Sequence, residues 1–197
     1  MPTQPTRLFL APLGVEPPAG WLSVSAGTLR GMHLPSGSAD AAYVEDLPSI
    51  MRESELVVLL EELNRIVKPG GWRDSADGTN TFVGGLIRIA TPDIATATRA
   101  YIDADMTYFK LALGAGADEV TPGAALAMWL SRYAPVRAYD HGSMTGAIRR
   151  AGLNGVYRSA RHKSLVPDLR DQAFDGQGEH RLYFECWREA TSEKEAA

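Results

Sequence analysis

Tyr139-Asp140-His141 brings three ionisable side chains together, in a stretch ahead of a helical pattern. An imidazole ordinarily titrates near neutrality, so His141 could act as a general base towards an acceptor hydroxyl. A histidine beside a helix start serves equally as a capping or surface residue. Asp93 is a second candidate, because it follows the apolar run Gly85-Leu86-Ile87-Arg88-Ile89-Ala90. It can cap the next helix. It can also line a pocket mouth, since ligands of open α/β sheets bind beyond the carboxyl ends of the strands. Other chemistries find no support. The four histidines (His33, His141, His162, His180) lie far apart without metal-ligand spacing, and the single Cys186 cannot make a thiolate cluster, so no metal site is expected. Neither a Gly-x-Ser-x-Gly elbow nor a Walker loop occurs. Gly114-Ala115-Gly116 follows a helical pattern and reads as a turn.

The elements that must position these residues are organised around Glu53 to Asp93. Leu56, Leu59, Leu60, Leu63 and Val67 recur at i, i+3, i+4, i+7, the spacing of a helix with one buried face. Lys68-Pro69-Gly70-Gly71 stops it, through proline's missing donor and glycines able to take left-handed turn conformations. The apolar run 85–90 is a short buried strand, and Ile94 to Leu113 continues as one helical pattern. Between them, residues 72–83 are a surface excursion, turning as a hairpin at Asp77-Gly78. Trp72 and Phe82 flank it and either pin its base or present it to a partner. Arg7-Leu8-Phe9-Leu10 is the first strand; Gly155-Val156-Tyr157-Arg158 and His180 to Trp187 are the last two. Pro122 to Tyr133 is a further helix, with proline at a tolerated first-turn position. Cys186 alternates with Leu182 and Phe184 and belongs to the core. Helices alternating with strands predict an α/β fold with a parallel sheet.

At 197 residues, 45% hydrophobic and with a net charge of −4, the chain has the composition of one globular domain and no basic surface for nucleic acid. The expected limits are residues 7–190, with loose ends at 1–6 and 191–197. One cysteine, no membrane-length apolar run and no signal-peptide core point to the cytoplasm.

Glu62-Leu63-Asn64-Arg65-Ile66-Val67-Lys68-Pro69-Gly70-Gly71 resembles the "E-x-x-R-V-L-K-P-G-G" turn of class I S-adenosylmethionine (SAM)-dependent methyltransferases. Leu86-Ile87-Arg88-Ile89-Ala90-Thr91-Pro92-Asp93 is similar to a type 11-like branch of them, associated with glycan and cell-surface biosynthesis, whose strand ends in "R-I-x-x-P-D". The resemblance implies a Rossmann-like, mostly parallel seven-stranded sheet with an antiparallel last strand and helices on both faces. It also implies a SAM site at Ala11, Leu13, Gly14, Ser25 and Asp46. That motif is degenerate here: Ala11-Pro12-Leu13-Gly14 replaces the family's "G-x-G" loop. Ser25 stands where the family has the aspartate that binds the ribose hydroxyls, and Asp46 stands where a histidine is usual. A charge-assisted bond is about twice as strong as the neutral one Ser25 can accept.

Two functions follow from the resemblance. One is methyl transfer from SAM to a small-molecule or saccharide acceptor, with Asp93, Tyr139 and Asp140 at the acceptor pocket and His141 as base. The other is an inactive pseudoenzyme acting as a binding or scaffolding subunit, in a homo- or hetero-oligomer with another methyltransferase. Neither reading involves nucleic acid or membrane.

Overall fold

A computed structural model describes residues 6–27, 33–117, 119–171, 174–175 and 180–190. The expected loose ends lie outside these, except Thr6, whose N–H donates to Asp40 Oδ2 at 3.0 Å.

The main sheet is built from β1 (Arg7–Leu10), β2 (Leu22–Ser23), β3 (Ala41–Glu45), β6 (Leu86–Pro92), β7 (Gly155–Ser159) and β8 (Arg181–Trp187). Across the sheet they run β2-β1-β3-β6-β8-β7. The pairings among β2, β1, β3 and β6 are parallel, and β8 is antiparallel to both its neighbours. This is the expected α/β class with its antiparallel last strand. The sheet has six strands among the described residues rather than seven. The stretch before β3 carries the polar turn Ser36-Gly37-Ser38 and only an isolated bridge, Ala39 to Val67.

Two successive rows of side chains cross the sheet and face opposite sides. Leu10, Val44, Ile89 and Phe184 make one row; Phe9, Tyr43, Arg88 and Glu185 make the next. The first row packs under α2 (Glu53–Ile66) and α6 (His141–Arg150). In α2 the buried stripe is Leu56, Leu59, Leu60, Leu63 and Ile66, with Val67 buried just beyond the helix. Glu55 accepts the Arg52 N–H at 2.8 Å, closing the helix start.

The second row is covered differently from expectation. Its apolar partners include Trp21, Leu165, Val166, Leu169 and Phe174, so a connection whose described residues contain only the 3-10 turn Pro167–Leu169 lies where a helical layer was expected. The segment between β1 and β2, residues 11–21, holds Pro12, Pro17 and Pro18 and left-handed Gly14 and Gly20. It is too short and too broken for a crossover helix.

The 72–83 excursion is a hairpin of β4 (Gly70–Asp74) and β5 (Asn80–Gly84), with Gly78 at φ 80° in its turn. Gly70 and Gly71 do not take left-handed conformations. Gly70 is needed for close approach, since a Cβ there would sit 2.3 Å from the Gly85 carbonyl oxygen. Trp72 packs edge-on to Phe82 at 5.9 Å, and Phe82 to Trp187 at 5.0 Å, so the pair ties the hairpin base to β8.

The expected helix 94–113 is two helices, α3 (Ile94–Ile102) and α4 (Met106–Leu113). Ala104 between them has φ 51°, and Asp105 caps α4 by accepting the Tyr108 N–H at 3.1 Å. A short polar side chain competing for the backbone ends one helix and starts the next. With α5 (Pro122–Tyr133), these helices form their own core around Phe109, Ala125 and Trp129. Among the described residues no helix is long and apolar enough to cross a membrane.

Candidate functional site

The chain leaves β1 in one direction to reach β2 and returns on the other side to build β3 and β6. The reversal makes a topological switch point between β1 and β3, with its crevice at their carboxyl ends. Those ends are Ala11 and the pair Glu45-Asp46.

Asp46 opens the short helix α1 (Leu47–Ile50) from a left-handed backbone, φ 54° and ψ −8°. Its N–H donates to the Ala90 carbonyl at 2.9 Å, and its own carbonyl accepts from Ser49 N at 3.1 Å and Ser49 Oγ at 2.8 Å. The side chain meets Arg181, which enters from the start of β8. One guanidinium nitrogen bonds Glu45 Oε1 at 3.1 Å and another bonds Asp46 Oδ2. Burial pushes both carboxyls above their usual range, and Arg181 only partly offsets it. The guanidinium is itself desolvated but, facing two acids, is held more firmly protonated. Asp46 Oδ1 is buried and has no donor among the described residues.

The other residues implied for the cofactor are arranged loosely around this point. Gly14 has φ 91° and open space where a Cβ would be. Leu13 is 98% exposed, and Ser25 is exposed just beyond β2. Next to Ser25, a groove of about 480 Å³ opens between Ala26-Gly27, Met51 and the α2 face of Ser54, Glu55 and Val58. Asp46 does not line it.

Asp93, Tyr139 and Asp140 are brought together. Asp93 and Tyr139 form a backbone bridge, and Ile94 N–H donates to the Tyr139 carbonyl at 3.0 Å. Asp93 caps α3, accepting from Ala95 N and Thr96 Oγ1, both at 2.9 Å. Asp140 caps α6, accepting the Ser143 N–H at 2.7 Å, and hydrogen bonding to Ser143 holds its carboxyl below the usual range. Tyr139 is buried under the Arg137 guanidinium, and its Oη has no partner among the described residues. His141, the first residue of α6, is exposed and rests its ring on Phe184 of β8 at 5.3 Å. That strand stands two places from β3, roughly 10 Å at ordinary strand spacing.

The sequence reading missed a buried ionic cluster on the second face. Arg88 donates to Asp175 Oδ2 at 2.5 Å, Glu185 Oε1 at 2.9 Å, Ser159 Oγ at 3.0 Å and the Ala160 carbonyl at 2.8 Å. All three charged side chains are fully buried. Tyr43 Oη donates to Asp175 Oδ1 at 3.0 Å, and Leu165 N–H to Glu185 Oε2 at 2.9 Å. A charge inside the apolar runs Leu86–Ala90 and Leu182–Trp187 was the available signal. Among the described residues no group of His, Cys, Asp and Glu is placed to hold a metal ion.

No family model and no curated protein matches the chain. Solved structures that it resembles include SAM-dependent methyltransferases. SibL matches over 94% of this chain and 44% of its own, at 13% identity and TM-score 0.47. A SAM-dependent methyltransferase of Thermotoga maritima matches over 93% and 82%, at 13% identity and TM-score 0.45. Phosphoethanolamine N-methyltransferase 2 of Haemonchus contortus, in complex with SAM, matches over 95% and 49%, at 9% identity and TM-score 0.45. The chain thus spans less than half the length of two of these three.

Proposed function

We propose that this chain binds SAM at the β1/β3 switch point and transfers its methyl group to a small-molecule or saccharide acceptor. The observation that carries the reading is Asp46, a strained residue at the switch point whose Oδ1 is buried without a donor. A hydroxyl or amino group of an adenosyl ligand would satisfy it. The Ala11–Gly14 backbone and the Ser25 hydroxyl are the further contacts, and Ser25 supplies no charge, so Asp46 is the anionic contact of the site. SAM, when bound, supplies an electrophilic methyl on a sulfonium. The protein's part is positioning, through the capped backbone junction of Asp93 and Tyr139 beside the crevice, and removal of the acceptor proton by the exposed His141.

Calorimetric titration with SAM and S-adenosylhomocysteine tests this, using the natural sequence and the Ser25→Asp and Asp46→Ala variants. Micromolar binding, strengthened by Ser25→Asp and weakened by Asp46→Ala, is the expected result. No binding at millimolar ligand would overturn the reading and leave the fold as a non-catalytic binding subunit.

A further inference from the structure

We propose that Arg181 is the positioning residue for the ligand-binding carboxylate: it holds Asp46 by one oxygen and leaves the other for a hydrogen-bond donor of the ligand. The inference rests on the function proposed above.

Arg181 opens β8, the antiparallel strand, so its position opposite Pro92 lies at the carboxyl ends of the parallel strands. From there its side chain crosses β6 to reach Glu45 and Asp46 of the β3 end. Only 4% of it is exposed, whereas Asp46 keeps 23% of its side chain open. A left-handed backbone is unfavourable for a non-glycine residue and persists where its surroundings over-determine it. Asp46 meets that condition, with its N–H, its carbonyl and Oδ2 all bonded.

The second buried cluster shows what a purely structural arrangement looks like in this protein. There, Asp175 Oδ1 accepts from Tyr43, its Oδ2 accepts from Arg88 and from His162 N–H, and both oxygens of Glu185 are bonded. Every carboxylate oxygen has a donor. Asp46 Oδ1, by contrast, is buried with none. A buried acceptor left bare is costly, and a ligand donor would recover that cost. One guanidinium facing two carboxylates leaves a local charge of −1, so the donor is a neutral hydroxyl or amine, or a cation. An adenosyl ligand offers both kinds.

The test compares S-adenosylhomocysteine affinity across pH for the natural sequence, Arg181→Gln and Arg181→Lys. Arg181→Gln should weaken binding by about ten-fold or more, and Arg181→Lys, able to hold one carboxylate, should fall between. Binding should also fade with acidity as Asp46 takes a proton, and the midpoint should move to higher pH in Arg181→Gln. The sign follows because the guanidinium lowers the proton affinity of Asp46. Asp46 and Asp175 raise the proton affinity of Glu45, and Tyr43 and Tyr183 face Arg181; these groups are unchanged in the comparison. A generally loosened fold would lower affinity without moving the midpoint. Should Arg181→Gln fail to fold, Arg181→Lys carries the same two readouts. Binding by the natural sequence with unchanged affinity and midpoint in the variants overturns this inference alone. Absence of binding by the natural sequence overturns the proposed function and this inference with it.

Discussion

Replacing Arg88 by Met should destabilise the protein more than almost any other single change. Arg88 is fully buried in β6 and is the only cation bonded to the side-chain carboxylates of Asp175 and Glu185 among the described residues. Methionine fills similar volume, so the loss is electrostatic and not a cavity. Breaking a buried ion pair by removing one partner costs about 3–5 kcal/mol, because the other charge is left uncompensated. Here two carboxylates are left. A domain of this size has stability on the order of 10 kcal/mol, so the urea midpoint should fall by roughly a third to a half. The triple variant Arg88→Met, Asp175→Asn, Glu185→Gln removes all three charges. The amide oxygen at position 175 can still accept from His162 N–H, with that amide's nitrogen turned to Tyr43 Oη, and the one at position 185 from Leu165 N–H, so the variant should recover to within about 2 kcal/mol of the natural sequence. Tryptophan fluorescence in urea reads both outcomes, and Trp21 reports specifically, since it packs edge-on against Phe174 one residue before Asp175, at 4.9 Å. A loss below about 1 kcal/mol for Arg88→Met, or a triple variant no more stable than the single one, would refute the reasoning.

Glu45 gives a pH signature. Its folded-state value is raised above the ordinary 4.5 by burial, against the opposing pull of Arg181. The folded protein therefore holds that proton more tightly than the unfolded chain, and the stabilisation is full below about pH 4.5 and lost as pH rises through the folded value. Glu45→Gln should flatten the stability profile from about pH 4.5 upwards in urea melts; an unchanged slope would contradict the burial argument. Asp93→Ala should cost about 0.5–2 kcal/mol through its lost cap, whereas Asp93→Asn should stay near the natural sequence. Thermal melts showing equal losses for both variants would mean that the charge, and not the cap, carries the effect.

Much of this protein's local structure is legible along the chain. The α2 stripe, the stop at Lys68-Pro69, the turn at Asp77-Gly78 and the cap at Asp93 all come from patterns within a few residues. Periodicity, proline and capping chemistry act over that range, so sequence alone determines them. The single helix expected over 94–113 failed because Asp105 competes for backbone donors, an effect weaker than the apolar pattern around it.

The site was less legible. The charged pairs of the site and of the second face join residues far apart: Arg88 meets Asp175 across 87 positions and Glu185 across 97, and Arg181 meets Glu45 across 136. Strand register chooses such partners, because it sets which side chains share a face and a row. Nothing near Arg181 in the sequence indicates that it crosses β6 to reach Asp46. The covering of the second sheet face by Leu165, Val166, Leu169 and Phe174 was likewise settled by which segment could carry Asp175 to Arg88. Sequence by itself determined the elements and the α/β class. Tertiary structure decided which buried charges were neutralised and which oxygen stayed bare, because burial and pairing exist only after distant strands are aligned.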